Sequence, residues 1–311
     1  MVRILKLKKE INKKVVYWVL GVGIFIPFFI TLGIYDFKIA EIIKINIYSQ
    51  WNWFKYSFDV VGKTIIAIPI YLTLFVSILC FLNYYPISKS WGKTIFVIFH
   101  LILILGLLSY SIDKSWFNNK FDEKILIEVI ATSIMYLIIF TFILIINIIV
   151  FRKKLHKDNY FLFNMSRKTT HLVVFLFLSF VTVQFLKYFF GRPRPYQIFE
   201  KEDPFISFKY VFEVYFGASR GNSFPSGHTQ STLSLMGLLF YLNKKTKKQK
   251  NIYKVFYVGI IFVTILVAIS RILILAHFAT DTLFSIGLVL IYFYTTPLII
   301  ESFKKRFRKN G

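Results

Sequence analysis

Two histidines set the chemical question in this chain. His277 lies in SRILILAHFATD (Ser270–Asp281), with Arg271 before it and Asp281 four residues after it. His228 closes the run Pro225, Ser226, Gly227, His228, and a third cluster, KYFFGRPRP (Lys187–Pro195), carries Lys187, Arg192 and Arg194. A carboxylate on one imidazole nitrogen fixes the tautomer and frees the other lone pair, so His277 with Asp281 is a candidate nucleophile. Arg271 adds a planar fork suited to phosphate oxygens. The segment around His228 has the residues of a helix start: Pro225 in the first turn, Ser223 or Ser226 as the cap, Gly227 admitting a close ligand. A helix start offers free N–H groups to an oxyanion, which would sit beside His228. Taken singly, the clusters have plainer readings: snorkelling basic residues, an ordinary helix start, a structural ion-pair network. Taken together they describe a phosphate cage with a nucleophile and an acid. No further His, Cys or carboxylate stands at ligand spacing, so neither a metal nor any other cofactor is expected.

These groups must be positioned by strongly apolar elements. Of 311 residues, 56% are hydrophobic and 20% aromatic, and the mean hydropathy is +0.61. That composition excludes an ordinary soluble domain. The formal charge is +24, from 39 basic against 15 acidic residues. The basic residues cluster between apolar segments, which is the pattern of membrane-protein loops and argues against nucleic acid as a partner. The lone Cys80 excludes an internal disulfide.

A membrane span needs about 20 mostly apolar residues. Eight stretches qualify: Val15–Tyr35, Ile65–Tyr85, Thr94–Ile112, Ile125–Val150, Thr169–Phe190, the short His228–Leu242, Val255–Leu275 and Phe278–Ile300. The expected fold is therefore all-α, a polytopic bundle of about eight transmembrane helices. Met1–Lys14 precedes an apolar run too long for a signal-peptide core and is read as part of a retained anchor. Phe37–Phe54, with Trp51 and Trp53, suggests an interfacial helix. Lysine tracts such as KKTKKQK (Lys244–Lys250) serve topology and solubility before they serve lipid headgroups. Roughly 25 of the 39 basic residues fall in the N-terminus, the alternate loops and the tail after Ile300. The positive-inside rule puts those in the cytoplasm, with Gly191–Gly227 and the turn at His277 on the opposite face.

Lys187 with Arg194 and Pro195, the run Pro225 to His228, and Ser270–Arg271 with His277 and Asp281 resemble the three-part signature of the type 2 phosphatidic acid phosphatase superfamily, which also includes vanadium haloperoxidases. Every signature position is filled, in order. Members often carry glycine two residues before the nucleophilic histidine and proline two after it; here those positions are Leu275 and Ala279. The resemblance implies a six-helix core over residues 94–300, a basic tail at 301–311, and an N-terminal addition at 1–93 that it leaves unexplained. It implies His277 as nucleophile, Asp281 as its partner and His228 as acid and base. Lys187, Arg194, Arg271, Ser226 and Gly227 would bind phosphate, and Arg192, outside the signature, is a weaker candidate for headgroup contact.

The expected activity is metal-independent removal of phosphate from a membrane lipid through a phosphohistidine. Candidates are lipid A, undecaprenyl diphosphate, phosphatidylglycerophosphate and phosphatidate, at the periplasmic face of a bacterial inner membrane. A lipid phosphotransferase using the same intermediate and a non-enzymatic lipid-phosphate transporter or binding protein are the alternatives. A haloperoxidase fits the bilayer-spanning build poorly.

Overall fold

In hydrocarbon every backbone polar group must be paired within its own segment, so long apolar runs become helices. The structure, a computed structural model, describes residues 2–85, 89–111, 122–214 and 221–310. It contains α1 (Val2–Asn46), α2 (Asn52–Thr64), α3 (Ala67–Tyr84), α4 (Lys89–Ser111), α5 (Glu123–Arg152), α6 (Asn159–Phe190), α7 (Pro195–Ile198), α8 (Pro204–Ser207), α9 (Gly227–Leu233), α10 (Lys247–Leu273) and α11 (Ala279–Asn310). Short 3-10 segments run over Leu155–Lys157 and Ser234–Tyr241, and no strand occurs among the described residues.

Among the described residues, seven helices are long and apolar enough to cross a membrane, α2 and α3 together forming one of them (Asn52–Tyr84). The protein is thus a multi-pass helical membrane bundle. Large apolar side chains such as Leu137, Leu144, Phe177, Val258 and Phe262 are exposed along the helices, as lipid-facing surfaces require.

The predicted span His228–Leu242 takes a different form: α9 followed by the 3-10 segment, neither long enough to cross a bilayer alone. Its polar residues Thr229, Gln230, Ser231, Thr232 and Ser234 are buried. This leg faces protein on all sides and so needs no continuous lipid-facing apolar surface. It starts beside α11, where Ser226 N–H donates to the Asp281 carbonyl at 3.1 Å. It ends near the opposite end of the bundle, where Lys168 Nζ donates to the Tyr241 carbonyl at 2.8 Å.

Other helices outrun their apolar stretches. The 45 residues of α1 would measure about 68 Å, against about 30 Å of hydrocarbon. Hydropathy marks the length immersed in lipid, whereas a helix continues until something caps or breaks it. For the same reason Phe37–Asn46 is the end of α1 and not a separate interfacial helix; the break falls at residues 47–51, and Trp51 and Trp53 remain exposed. Most of the predicted connection Asp113–Lys124 lies outside the described residues.

The largest buried cluster joins Tyr71 and Phe75 of α3 to Leu172 and Phe175 of α6, Met236 of the 3-10 segment and Val289 of α11. Meanwhile α2 packs against α5, α9 and α10, and α1 packs against α11. By contrast α4 is peripheral, with none of its span buried. Of the helices before residue 94, α2 and α3 thus pack directly against helices that follow it.

Candidate active site

The first basic cluster is shaped by the end of α6. Gly191 adopts φ 53°, the left-handed conformation that ends a helix without a Cβ penalty. Beyond this turn, Arg194 lies extended before α7, its N–H donating to Gln197 Oε1 at 2.8 Å. Asn222 then draws the two signature cations together. Lys187 Nζ donates to its carbonyl at 3.1 Å, and Arg194 Nε donates to its Oδ1 at 2.9 Å. Lys187 also hangs over the start of α9, where a Cβ on Gly227 would lie 3.7 Å from Nζ. Asn222 was not singled out from the sequence, because nothing in its local spacing shows that it bridges distant cations.

Arg192, the candidate headgroup contact, is only 1% exposed. Its Nη1 donates to Asp281 Oδ1 at 2.7 Å and to Thr280 Oγ1 at 3.0 Å, its Nη2 to Asp36 Oδ2 at 3.0 Å, and its Nε to the Lys209 carbonyl at 2.9 Å. The guanidinium also stacks over Phe278, 4.0 Å from the ring centroid. A side chain enclosed in this way braces the site from behind and is not free to meet a headgroup. Its second carboxylate, Asp36, comes from α1. No motif marks Asp36; the only signal was an acidic residue bordering an apolar run.

The PSGH segment departs from the expected helix start in two respects. The helix begins at Gly227, so Pro225 precedes it, in a cis peptide bond with Phe224. Ser226 occupies the cap position but makes no side-chain cap bond. Its groups are spent internally: N–H to the Asp281 carbonyl, Oγ accepting from Thr229 at 3.0 Å, and its carbonyl accepting from Ser285 at 3.0 Å. The backbone donors at this helix start are consequently those from Gly227 onward.

His277 lies in the turn between α10 and α11 and is buried. Its Nδ1 lies 2.6 Å from the Ser223 carbonyl and 3.7 Å from Asp281 Oδ2. A carbonyl can only accept, so Nδ1 must carry the proton and Nε2 keeps its lone pair. The expected direct carboxylate hydrogen bond is therefore replaced by a relay. Asp281 accepts from Ser223 Oγ and, at 2.9 Å, from Phe278 N–H, while the Ser223 carbonyl holds His277. At 3.7 Å the Asp281 charge acts on the imidazole by electrostatics alone.

The turn itself shows how this chain manages with leucine at the position where the resemblance leads one to expect glycine. Leu275 takes φ 56°, which costs a non-glycine residue about 1–2 kcal/mol. Burial of its side chain within the apolar cluster of Ala40, Ile43, Ile198, Phe208 and Phe278 offsets that cost. Ala279 opens α11, a position that proline also suits, so the second departure leaves the helix start intact.

Arg271 sits in the last turn of α10, 5% exposed. Its Nε is a buried donor with no acceptor among the described residues, a demand that a phosphate oxygen would meet. Lys187 stands over Gly227 beside His228, and the Ser226 N–H bond to the Asp281 carbonyl ties this helix start to α11 near His277. No group of three or more His, Cys, Asp or Glu residues that could hold a metal occurs among the described residues.

Burial, reinforced by the Arg271 and Lys187 charges against the opposing Asp281, pushes the His277 pKa down to about 3. A lowered pKa means that the neutral, nucleophilic ring survives acidification. Histidine-selective 15N NMR of the detergent-solubilised protein should find His277 as the Nδ1–H tautomer at about pH 5, where an ordinary histidine is mostly protonated. Titration with a midpoint near the ordinary value of about 6.5 would contradict this burial argument.

Residues 168–300 match the family model described as PAP2 superfamily. The matched stretch takes in all three basic and histidine clusters, and it supports the superfamily and, with it, a phosphoric ester hydrolase. Comparison of the chain with curated proteins and with solved structures gave no match.

Proposed function

We propose, from the family match over residues 168–300 taken with the geometry around His277, that the protein is a metal-independent phosphatase of membrane lipid phosphates acting through a phosphohistidine. The observation that carries this reading is the Ser223 carbonyl on His277 Nδ1, which leaves Nε2 unprotonated beside a set of cations. Nε2 attacks phosphorus in line, forming the P–N bond as the P–O bond to the lipid breaks. Protonated His228 gives its proton to the departing oxygen. Neutral His228 then takes a proton from water as the water oxygen attacks phosphorus, the P–N bond breaks, and inorganic phosphate leaves with His277 restored. Lys187, Arg194, Arg271 and the Gly227 backbone stabilise the charge on the equatorial oxygens, the largest expected contribution to rate.

The substrate class follows from access. Groups gathered at the ends of spans can be reached by a headgroup whose acyl or prenyl tail stays in the bilayer. The distribution of lysine and arginine supports a site on the non-cytoplasmic face. Lipid A, undecaprenyl diphosphate, phosphatidylglycerophosphate and phosphatidate all fit that description.

The test is phosphate release from a panel of these four lipids by the purified protein in mixed micelles, with and without EDTA. Release from at least one of them, with a rate unchanged by the chelator, is expected. Strict dependence on a divalent cation would refute the mechanism, and passage of labelled phosphate to a second lipid instead of water would make the protein a phosphotransferase.

A further inference from the structure

The helix α2 belongs to the part of the chain that the signature leaves without a role, yet it forms a wall of the candidate site. Ser270 Oγ donates to the Lys55 carbonyl at 2.6 Å, fastening α2 to the residue next to Arg271. One turn further on from Asp59, a Cβ on Gly62 would lie 3.0 Å from His228 Cβ and 2.8 Å from Val267 Cγ1, so glycine is what lets the helix come so close. Between these two anchors stands Asp59. Its Oδ1 is 3.6 Å from His228 Nε2 and in ion-pair contact with Arg271 Nη1.

We propose that Asp59 is a positioning residue for the proton donor: a carboxylate from α2 that orients the His228 ring and stabilises its protonated form while the leaving oxygen departs. The proposal rests on the assignment of His228 as general acid. The charged groups around this ring are Lys187, Arg194 and Lys63, together with Asp59 and the Arg271 it holds. Burial and the first three cations all disfavour the imidazolium. A proton donor so surrounded needs a compensating negative charge, and Asp59 supplies one at ion-pair distance before any substrate arrives. The same carboxylate holds Arg271, so one residue couples the acid to the phosphate cage.

The experiment uses the full chain in detergent and compares Asp59→Asn with the unaltered protein on two esters, dioctanoyl phosphatidate and p-nitrophenyl phosphate. The alkoxide leaving from phosphatidate needs a proton, whereas p-nitrophenolate leaves without one. We expect kcat on phosphatidate to fall about 100-fold, the usual scale of general-acid assistance, and the loss on the aryl ester to be at least about tenfold smaller. KM for phosphatidate should change far less than kcat. The alkaline limb of the kcat profile should move to lower pH, because removing a carboxylate favours the neutral ring and the acid form is lost sooner as pH rises. Asp59→Glu should recover part of the phosphatidate rate. Gly62→Ala, which forces α2 away from His228, should change the ratio of the two esters in the same direction and stands in if Asp59→Asn does not fold.

Equal losses on the two esters would overturn the proposal. So would an unchanged ester ratio with tighter inhibition by inorganic phosphate, which would make Asp59 a competitor for Arg271. If His277→Ala is inactive while the ester ratio is unmoved, only the role of Asp59 fails; if His277→Ala retains activity, the phosphatase mechanism and this inference fall together.

Discussion

Replacing His277 with alanine is expected to reduce phosphate release by at least on the order of 10⁴-fold, because on the proposed mechanism the variant has no nucleophile to divide the displacement into two steps. Cations that stabilise the equatorial oxygens would remain, so binding of the lipid should weaken much less than turnover. The folding cost is small by comparison. The Ser223 carbonyl loses its donor, worth about 1–3 kcal/mol for a buried acceptor left unpaired. His277→Gln makes the separation cleaner, since its amide can still donate to that carbonyl while offering no comparable nucleophile. Both variants should elute as folded protein and retain affinity for the lipid. Near-normal hydrolysis by either would refute the assignment of His277.

The second large effect concerns stability. Arg192→Met should destabilise the protein by about 3–5 kcal/mol, the range seen when one partner of a buried ion pair is removed. Two carboxylates, on Asp36 and Asp281, share this guanidinium, and each is buried. Without it they would stand unpaired in an environment that penalises charge, and their mutual repulsion would add to the cost. Thermal unfolding in detergent measures the effect, and Arg192→Lys should recover only part of it because an ammonium cannot reproduce the planar fork. A headgroup-binding residue would behave otherwise: KM would rise while the unfolding temperature stayed in place. Activity of Arg192→Met should also drop, since Asp281 holds Ser223 and Ser223 holds His277.

Much of the candidate site was legible because the phosphate chemistry proposed for it constrains residue type and short spacing. Lys187 with Arg194, Gly227 with His228, and Arg271 with His277 are each local patterns, and ionisable residues beside membrane spans stand out against their cost. The membrane class and the helical architecture were equally plain, since immersion of a backbone in hydrocarbon leaves few alternatives. The lengths of α1 and α11 were less legible, because hydropathy does not see a helix that continues beyond its apolar stretch.

What the chain alone determined is the chemistry on offer: a helical membrane bundle with cations, a helix start and two imidazoles in a fixed order. Only the tertiary structure decided who partners whom. It gave His277 a carbonyl instead of a carboxylate, turned Arg192 from a prospective lipid contact into a buried brace, and brought Asp36 to the back of the candidate site and Asp59 to its wall from helices without any motif. The reason is one of range. Spacing along a helix predicts neighbours one turn apart, whereas these pairings join residues 54 to 169 positions apart in sequence, and they exist only once the helices have packed.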